Sequence, residues 1–156
     1  MILRRIVAAT VIALGIAAPL SAHELGMVQV EATFQKNGTY VVDLVVDREH
    51  LLPGITPADV QKAAVLAFDG RRVQPAPPEI TDGFEGQPRL TRFRLRGSIP
   101  ANVSRFTFAD EAVAGYFVLS LRNEGQAEPI TQWVESYKTS EPFPLDRAVV
   151  PSARME

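Results

Sequence analysis

Hydrophobic and polar residues alternate strictly in several short segments of this 156-residue chain, the pattern of β-strands that bury one face. The first two segments, 28–35 and 40–46, are separated by the residues Lys-Asn-Gly. A three-residue loop sets Phe34 opposite Tyr40 and puts both apolar faces on one side, whereas a two-residue Asn-Gly loop would turn them apart. We therefore predict a hairpin with Gly38 in the left-handed position of a bulged turn.

The segment TPADVQKA carries the signals of one short helix. Thr56 is a suitable N-cap, Pro57 suits the first helical position, and Asp59 completes a capping box. We predict a helix from about Pro57 to Ala64. The next residues, 64–68, could continue it or form a strand that leads into an Asp-Gly turn.

Further alternating segments predict the remaining strands, at 89–97, 103–109, 115–122 and 129–137. The residues 74–88 are rich in proline and glycine and predict a long surface loop. Short strands separated by turns predict an all-β fold, an immunoglobulin-like antiparallel β-sandwich with one short helix. We assign residues 23–140 to this domain and 141–156, which lack periodicity, to a flexible C-terminal tail.

Residues 1–22 have the features of a secretory signal peptide. Arg4 and Arg5 precede the 13-residue apolar run IVAATVIALGIAA, and the small residues Ser21 and Ala22 follow it. The run is shorter than the roughly 20 residues that a membrane-spanning helix needs. We therefore predict cleavage after Ala22 and a soluble mature chain in the periplasm or outside the cell.

Composition excludes several classes of function. The chain has no cysteine, which excludes disulfides and thiolate metal ligands. Its net charge is −2, and its one basic stripe consists of Arg92, Arg94 and Arg96. We interpret this stripe as a solvated strand face and therefore expect no nucleic-acid partner. A Gly-x-Ser-x-Gly elbow and a phosphate-binding glycine loop are both absent, and the acids Asp110 and Glu111 adjoin a turn where solvated acids are usual. We predict that the protein is not an enzyme.

A metal site is the sharpest chemical hypothesis. His23 and His50 are the two histidines of the chain. After cleavage, His23 would offer its α-amino group and its imidazole to a divalent copper ion, and His50 could add a third nitrogen. Asp47 beside His50 could supply an oxygen. The hairpin brings both histidines to one end; the alternative is that both are ordinary polar residues at strand and chain ends.

A partner-binding surface is the second hypothesis. Trp133, Tyr137 and Phe143 lie close together in the segment QWVESYKTSEPFPL and could form an aromatic surface for a protein partner. The alternative is that these side chains belong to the core.

The mature start AHELG, the hairpin NGTY, and the segments IPANVSRFTF and QWVESYKTSEPFPL resemble the exported N-terminal domain of HupE/UreJ-type proteins over residues 22–145. The resemblance implies a β-rich extracytoplasmic domain and an accessory role linked to hydrogenase or urease maturation, including nickel uptake. No apolar run of spanning length follows Leu145, so the family's transport role and its membrane nickel ligands are not carried over. It implies a stand-alone accessory module that binds a protein partner at an inner-membrane system.

The chain is also similar to periplasmic copper carriers of the CopC type, β-sandwiches whose mature chain begins with histidine. It departs from them because Asp47 and His50 are three residues apart rather than two, and because a methionine-rich segment is lacking.

Overall fold

The computed structural model describes residues 28–146, which form a two-layer β-sandwich and confirm the predicted all-β fold with one short α-helix. Within those residues, the helix is too short to cross a membrane. The elements, in chain order, are β1 (Gln29–Phe34), β2 (Thr39–Asp47), α1 (Pro57–Ala63), β3 (Ala64–Phe68), β4 (Arg71–Val73), β5 (Glu79–Asp82), β6 (Leu90–Ser98), β7 (Arg105–Asp110), β8 (Tyr116–Asn123), β9 (Ile130–Glu135) and β10 (Phe143–Pro144).

The first sheet has the strand order β5-β6-β2-β1-β8-β9 and the second β10-β7-β3-β4. Neighbouring strands run antiparallel except for β1 and β8, which are parallel. These two strands are remote in the chain, so no hairpin turn imposes their relative direction. The antiparallel pattern that we predicted therefore holds for every other pair of neighbouring strands and not for this central pair.

The first hairpin has the predicted register. Phe34 pairs with Tyr40, and Gly38 has a φ of 82°. The N–H of Gln35 donates to the carbonyl of Thr39 at 2.9 Å, which closes the three-residue loop. This register puts the apolar faces of the two strands on the same side of the sheet.

The helix begins with the predicted capping box. The Thr56 side chain accepts from the N–H of Asp59 at 3.3 Å, and the Asp59 carboxylate accepts from the N–H of Thr56 at 2.9 Å. The Thr56 hydroxyl also donates to the Asp59 carboxylate at 2.6 Å, and this bond, together with the one from the Thr56 N–H, holds the pKa of Asp59 below its usual value. The helix ends at Ala63 and the chain continues directly as β3, which settles the ambiguous segment as a strand.

Two regions differ from prediction. The loop predicted for residues 74–88 is wrong in its centre, because β5 forms there and pairs with β6. The tail predicted from residue 141 is wrong at its start, because β10 pairs with β7 and the side-chain amide of Asn123 donates to the carbonyl of Pro144 at 3.1 Å. The remainder of the predicted tail, 147–156, lies outside the described residues.

An aromatic cluster fills one end of the core between the sheets. The ring of Phe34 lies 4.8 Å from that of Phe106, 5.5 Å from that of Phe143 and 6.3 Å from that of Phe68, measured between centroids. All four side chains are buried. The cluster joins residues from both sheets, so it fixes how the sheets sit on each other.

Candidate functional site

The edge strand β9 carries Trp133, the most exposed aromatic side chain in the strands of the first sheet. Trp133 pairs with Val118 of β8 and faces outward, with 60% of its surface exposed. The next residue, Val134, faces inward and pairs with buried Phe117. The strand alternation therefore places the tryptophan on the solvent side, as an exposed rather than a core residue.

A cleft of about 290 Å³ lies along this edge. Trp133 and Tyr116 both line it, and Tyr116 is 53% exposed. Glu135, Lys138 and Glu141 supply its charged lining. The cleft thus combines two aromatic faces with a rim of charged groups, a combination typical of protein recognition surfaces.

Tyr137 lies just beyond the strand in a strained backbone conformation. Its φ is 62°, a left-handed value that favours glycine, and its side chain is 74% exposed. Tyr137 lines a second cleft, on the second sheet. Thr139 lines both this cleft and the one beside Trp133. Tyr137 therefore extends the aromatic surface around the edge of the sandwich. We call Tyr116, Trp133 and Tyr137 together the aromatic edge.

Phe143 does not belong to this surface, which corrects its prediction as a partner-binding residue. It is only 2% exposed and stacks on Phe34 in the core. The reason is the pairing of β10 with β7, which turns Phe143 inward opposite Phe106.

The wall of the cleft is held by side-chain and backbone hydrogen bonds. The amide oxygen of Gln132 accepts from the N–H of Glu141 at 2.9 Å, and its amide nitrogen donates to the carbonyl of the same residue at 3.3 Å. Buried Ser140 bonds to Phe108 in the same way, its N–H donating to the carbonyl at 2.8 Å and its hydroxyl accepting from the N–H at 3.0 Å. These contacts attach the segment after β9 to both sheets, so the cleft is preformed.

The predicted metal residues Asp47 and His50 do lie together. His50 Nδ1 is 3.2 Å from Asp47 Oδ2, and Arg89 Nε is 3.3 Å from the same oxygen. The other oxygen of Asp47 accepts from the N–H of Glu49 at 3.0 Å. Both oxygens of this nearly buried carboxylate are already engaged, and the role of metal ligand that we predicted for Asp47 stays a prediction.

His50 is half-exposed beside a small recess that Val28, Leu51 and Val113 help to line. Its Nε2 makes no hydrogen bond to the part of the chain that the structure describes. His23 lies outside the described residues. Among residues 28–146, no three histidine or acidic side chains come together as a metal site.

Sequence reasoning missed the burial of Asp110 and the exposure of Tyr116, although the alternation along their strands indicates both. Asp110 shares strand parity with buried Phe106 and Phe108, and the structure buries it completely, contrary to the solvated acid that we expected. Its Oδ1 accepts from the N–H of Ala112 at 2.9 Å, whereas its Oδ2 has no hydrogen bond within residues 28–146. Burial raises the pKa of Asp110 to about 6. Tyr116 is outward because it has the opposite parity to buried Phe117.

The arginine stripe of β6 is balanced by neighbouring groups. Arg94 makes two bonds to Asp43, at 2.8 and 2.7 Å, which raise the pKa of Arg94. Arg96 lies 3.1 Å from Glu79, and Arg92 stacks over Phe84 at 4.6 Å. These contacts fit the interpretation of the stripe as an ordinary outer strand face.

Comparisons with protein-family models, with curated proteins and with solved structures found no match to this chain.

Proposed function

We propose that the protein is a non-catalytic binding module that recognises a protein partner through the aromatic edge. The observation that carries this proposal is the preformed cleft along β9, where Tyr116 and Trp133 are both more than half exposed. Large aromatic side chains gain most from burial against a partner, because they remove much apolar area from water at a small cost in conformational entropy.

The backbone at Tyr137 supports the same proposal. A non-glycine residue at a φ of 62° costs about 1–2 kcal/mol relative to an ordinary conformation. The fold accepts this cost although the side chain is largely exposed and contributes little to the core. A binding role would account for an exposed tyrosine in this conformation, since strained positions concentrate at functional sites.

The setting that we propose follows from the sequence. Residues 1–22 would direct export, and the mature module would act in the periplasm or outside the cell. The resemblance to HupE/UreJ-type extracytoplasmic domains suggests an accessory system at the inner membrane as the source of the partner.

Site-specific photo-cross-linking in cells that make the full chain tests this proposal. A photoreactive amino acid at position 133 or 137 should form a discrete cross-link to one protein. The same group at Ile80 is the matched control, because Ile80 is 58% exposed on β5 at the opposite edge of the same sheet. Equal labelling from all three positions, or none from positions 133 and 137, would rule out the aromatic edge as the binding surface.

A copper carrier is the second candidate, and the contact between Asp47 and His50 favours it. A carboxylate on Nδ1 fixes an imidazole and leaves Nε2 for a metal, an arrangement common around metal-bound histidines. In the sequence, His23 and His50 lie 14 and 13 residues from Asn37 in the turn of the first hairpin, which predicts that they fall at the same end of it. In this proposal, His23 and His50 bind the metal, and Asp47 and Arg89 position His50.

Titration of the cleaved protein with copper(II) and nickel(II) tests the carrier. Submicromolar binding should be lost in His50→Ala and after addition of one residue before His23, because the added residue displaces the α-amino group. Glu49→Ala is the control, since Glu49 is an exposed neighbour of His50. Affinity unchanged by either alteration contradicts this site.

A further inference from the structure

Within residues 28–146, the free side of β9 presents unpaired backbone groups. The N–H of Val118 donates to the carbonyl of Val28 at 3.2 Å, so the backbone of Val118 points towards β1 and away from β9. Trp133 is the cross-strand partner of Val118, and in an antiparallel pair such a residue points its own N–H and C=O away from the partner strand. The backbone of Trp133 therefore faces the open edge of the sheet.

The neighbouring pairs agree with this assignment. The N–H of Ser136 donates to the carbonyl of Gly115 at 2.7 Å, so this pair is hydrogen-bonded and the bonded pairs alternate from there. Thr131, two residues before Trp133, points the same way. At the far end the carbonyl of Glu135 is occupied, because it accepts from the N–H of Lys138 at 3.0 Å. Thr131 and Trp133 thus form a short open row of donors and acceptors beside the cleft.

Among the described residues, this edge carries little protection against strand addition between Ile130 and Val134. Natural sheet edges commonly carry lysine, proline or a bulge that prevents another strand from pairing. The sequence of β9, ITQWVE, contains neither lysine nor proline, and Pro129 stands just before it. The strand pairs with β8 without interruption of register from Ile130 to Glu135. An edge left open next to an exposed tryptophan is suited to β-strand addition by a partner.

The charge along the edge indicates the kind of strand. Glu128, Glu135 and Glu141 are exposed and make no ion pair within residues 28–146. Lys138 is the cation in the cleft, and Arg122 lies one strand inward on β8. The edge is therefore acidic. A second copy of the chain would bring the same acids close to each other, which disfavours self-pairing.

We propose that β9 binds an extended cationic segment of the partner protein, which adds to the sheet as a further strand and covers Trp133. This inference rests on the proposed function and specifies its mode of recognition. The backbone groups of Thr131 and Trp133 supply the ladder, the aromatic side chains take apolar side chains of the added strand, and Glu135 and Glu141 attract its basic ones.

Intrinsic fluorescence tests the inference directly, because Trp133 is the single tryptophan of the chain. The probes are a nine-residue peptide of alternating lysine and valine, the same peptide with glutamate for lysine, and the lysine peptide with alternate backbone nitrogens methylated. We expect the lysine peptide to shift the emission of Trp133 to the blue and to protect the N–H groups of Thr131 and Trp133 from hydrogen exchange. We expect the other two peptides to bind at least tenfold more weakly.

Thr131→Pro removes one open-edge N–H without breaking the ladder to β8, and Thr131→Val is its matched control. The proline variant should bind the lysine peptide at least tenfold more weakly than the valine variant. If the proline variant does not fold, the methylated peptide makes the same test on the unaltered protein.

Equal binding of the lysine and glutamate peptides, binding that survives methylation, or the absence of peptide binding would overturn the inference. So would a dimer in sedimentation that Thr131→Pro dissociates, because the edge would then belong to a second copy. Persistent cross-linking from position 133 in any of these cases would leave the proposed function standing and reject only strand addition.

Discussion

Strand alternation decides whether single residues of this protein are exposed or buried, and at Asp110 it buries an ionisable side chain. It continues the inward positions of Phe106 and Phe108, so a carboxyl group occupies a position that suits an apolar side chain. Two backbone N–H groups, from Ala112 and Val113, act against the effect of burial on its pKa, but burial dominates. The folded protein therefore holds the proton of Asp110 up to a higher pH than the unfolded chain does.

Asp110 should make the fold less stable as pH rises. Its folded pKa of about 6 exceeds the ordinary value of 3.8, so the folded state holds the proton more tightly. Its contribution is complete below about pH 4 and is lost as pH rises through about 6, a change of about 3 kcal/mol. Urea unfolding from pH 4 to 7.5 should show this loss relative to Asp110→Asn.

The exposed neighbour Glu111 provides the control. Its charge is the smallest of the causes that act on the pKa of Asp110, so Glu111→Gln should change the pH dependence far less than Asp110→Asn does. The wild type must be compared with Asp110→Asn because other acids have the opposite effect on stability. Bonds from Ser104 hold the pKa of Asp69 below its usual value, and an acid of this kind makes stability rise with pH. An identical pH dependence in Asp110→Asn and the wild type would show that the fold does not raise the pKa of Asp110.

At the scale of elements, β2 and β6 are joined by a close contact across the sheet. Buried Tyr40 pairs with Gly97, and its ring lies over the glycine. A Cβ atom added at Gly97 would lie 2.6 Å from Tyr40 Cζ. Gly97 is therefore required by the space that the ring occupies, and its backbone conformation is an ordinary one for a strand.

Gly97→Ala should lower the free energy of unfolding by about 1–3 kcal/mol, because the ring must move out of a well-packed position. Chemical denaturation measures the effect. In a Tyr40→Leu background the same substitution should cost clearly less, since the shorter side chain leaves room for the methyl group. Equal costs in both backgrounds would contradict steric crowding as the cause.

At the scale of the whole molecule, the segment after β9 closes one side of the sandwich. Ser140 attaches it to β7, and Leu145 donates its N–H to the carbonyl of Ser104 at 2.9 Å. Between them, Phe143 enters the aromatic cluster that joins the sheets. This segment also forms the wall of the cleft, so the same contacts stabilise the fold and shape the binding edge.

Phe143→Ala should destabilise the protein by about 3–5 kcal/mol, because it leaves a cavity among buried rings. Thermal and urea unfolding measure the loss. Pro142→Ala is the control, since Pro142 is exposed and it is the adjacent Phe143 that packs in the core. A loss of less than 1 kcal/mol in Phe143→Ala would mean that β10 is not part of the folded core.

The sequence by itself determined the local features of this protein. Strand alternation, the register of the first hairpin and the capping box at Thr56 all depend on residues within a few positions of each other. Their geometry follows from side-chain period and turn stereochemistry, which are visible in sequence. The same parity would have indicated the burial of Asp110 and the exposure of Tyr116.

Tertiary structure alone decided which strands are neighbours and therefore which surfaces remain open. The parallel pairing of β1 with β8, the edge position of β9 and the burial of Phe143 all rest on contacts between distant parts of the chain. Long-range pairing is set by the packing of the whole core, to which every strand contributes, so no single segment encodes it. For this reason, sequence could nominate Trp133 and Phe143 equally, and only the assembled sandwich separated a surface residue from a core one.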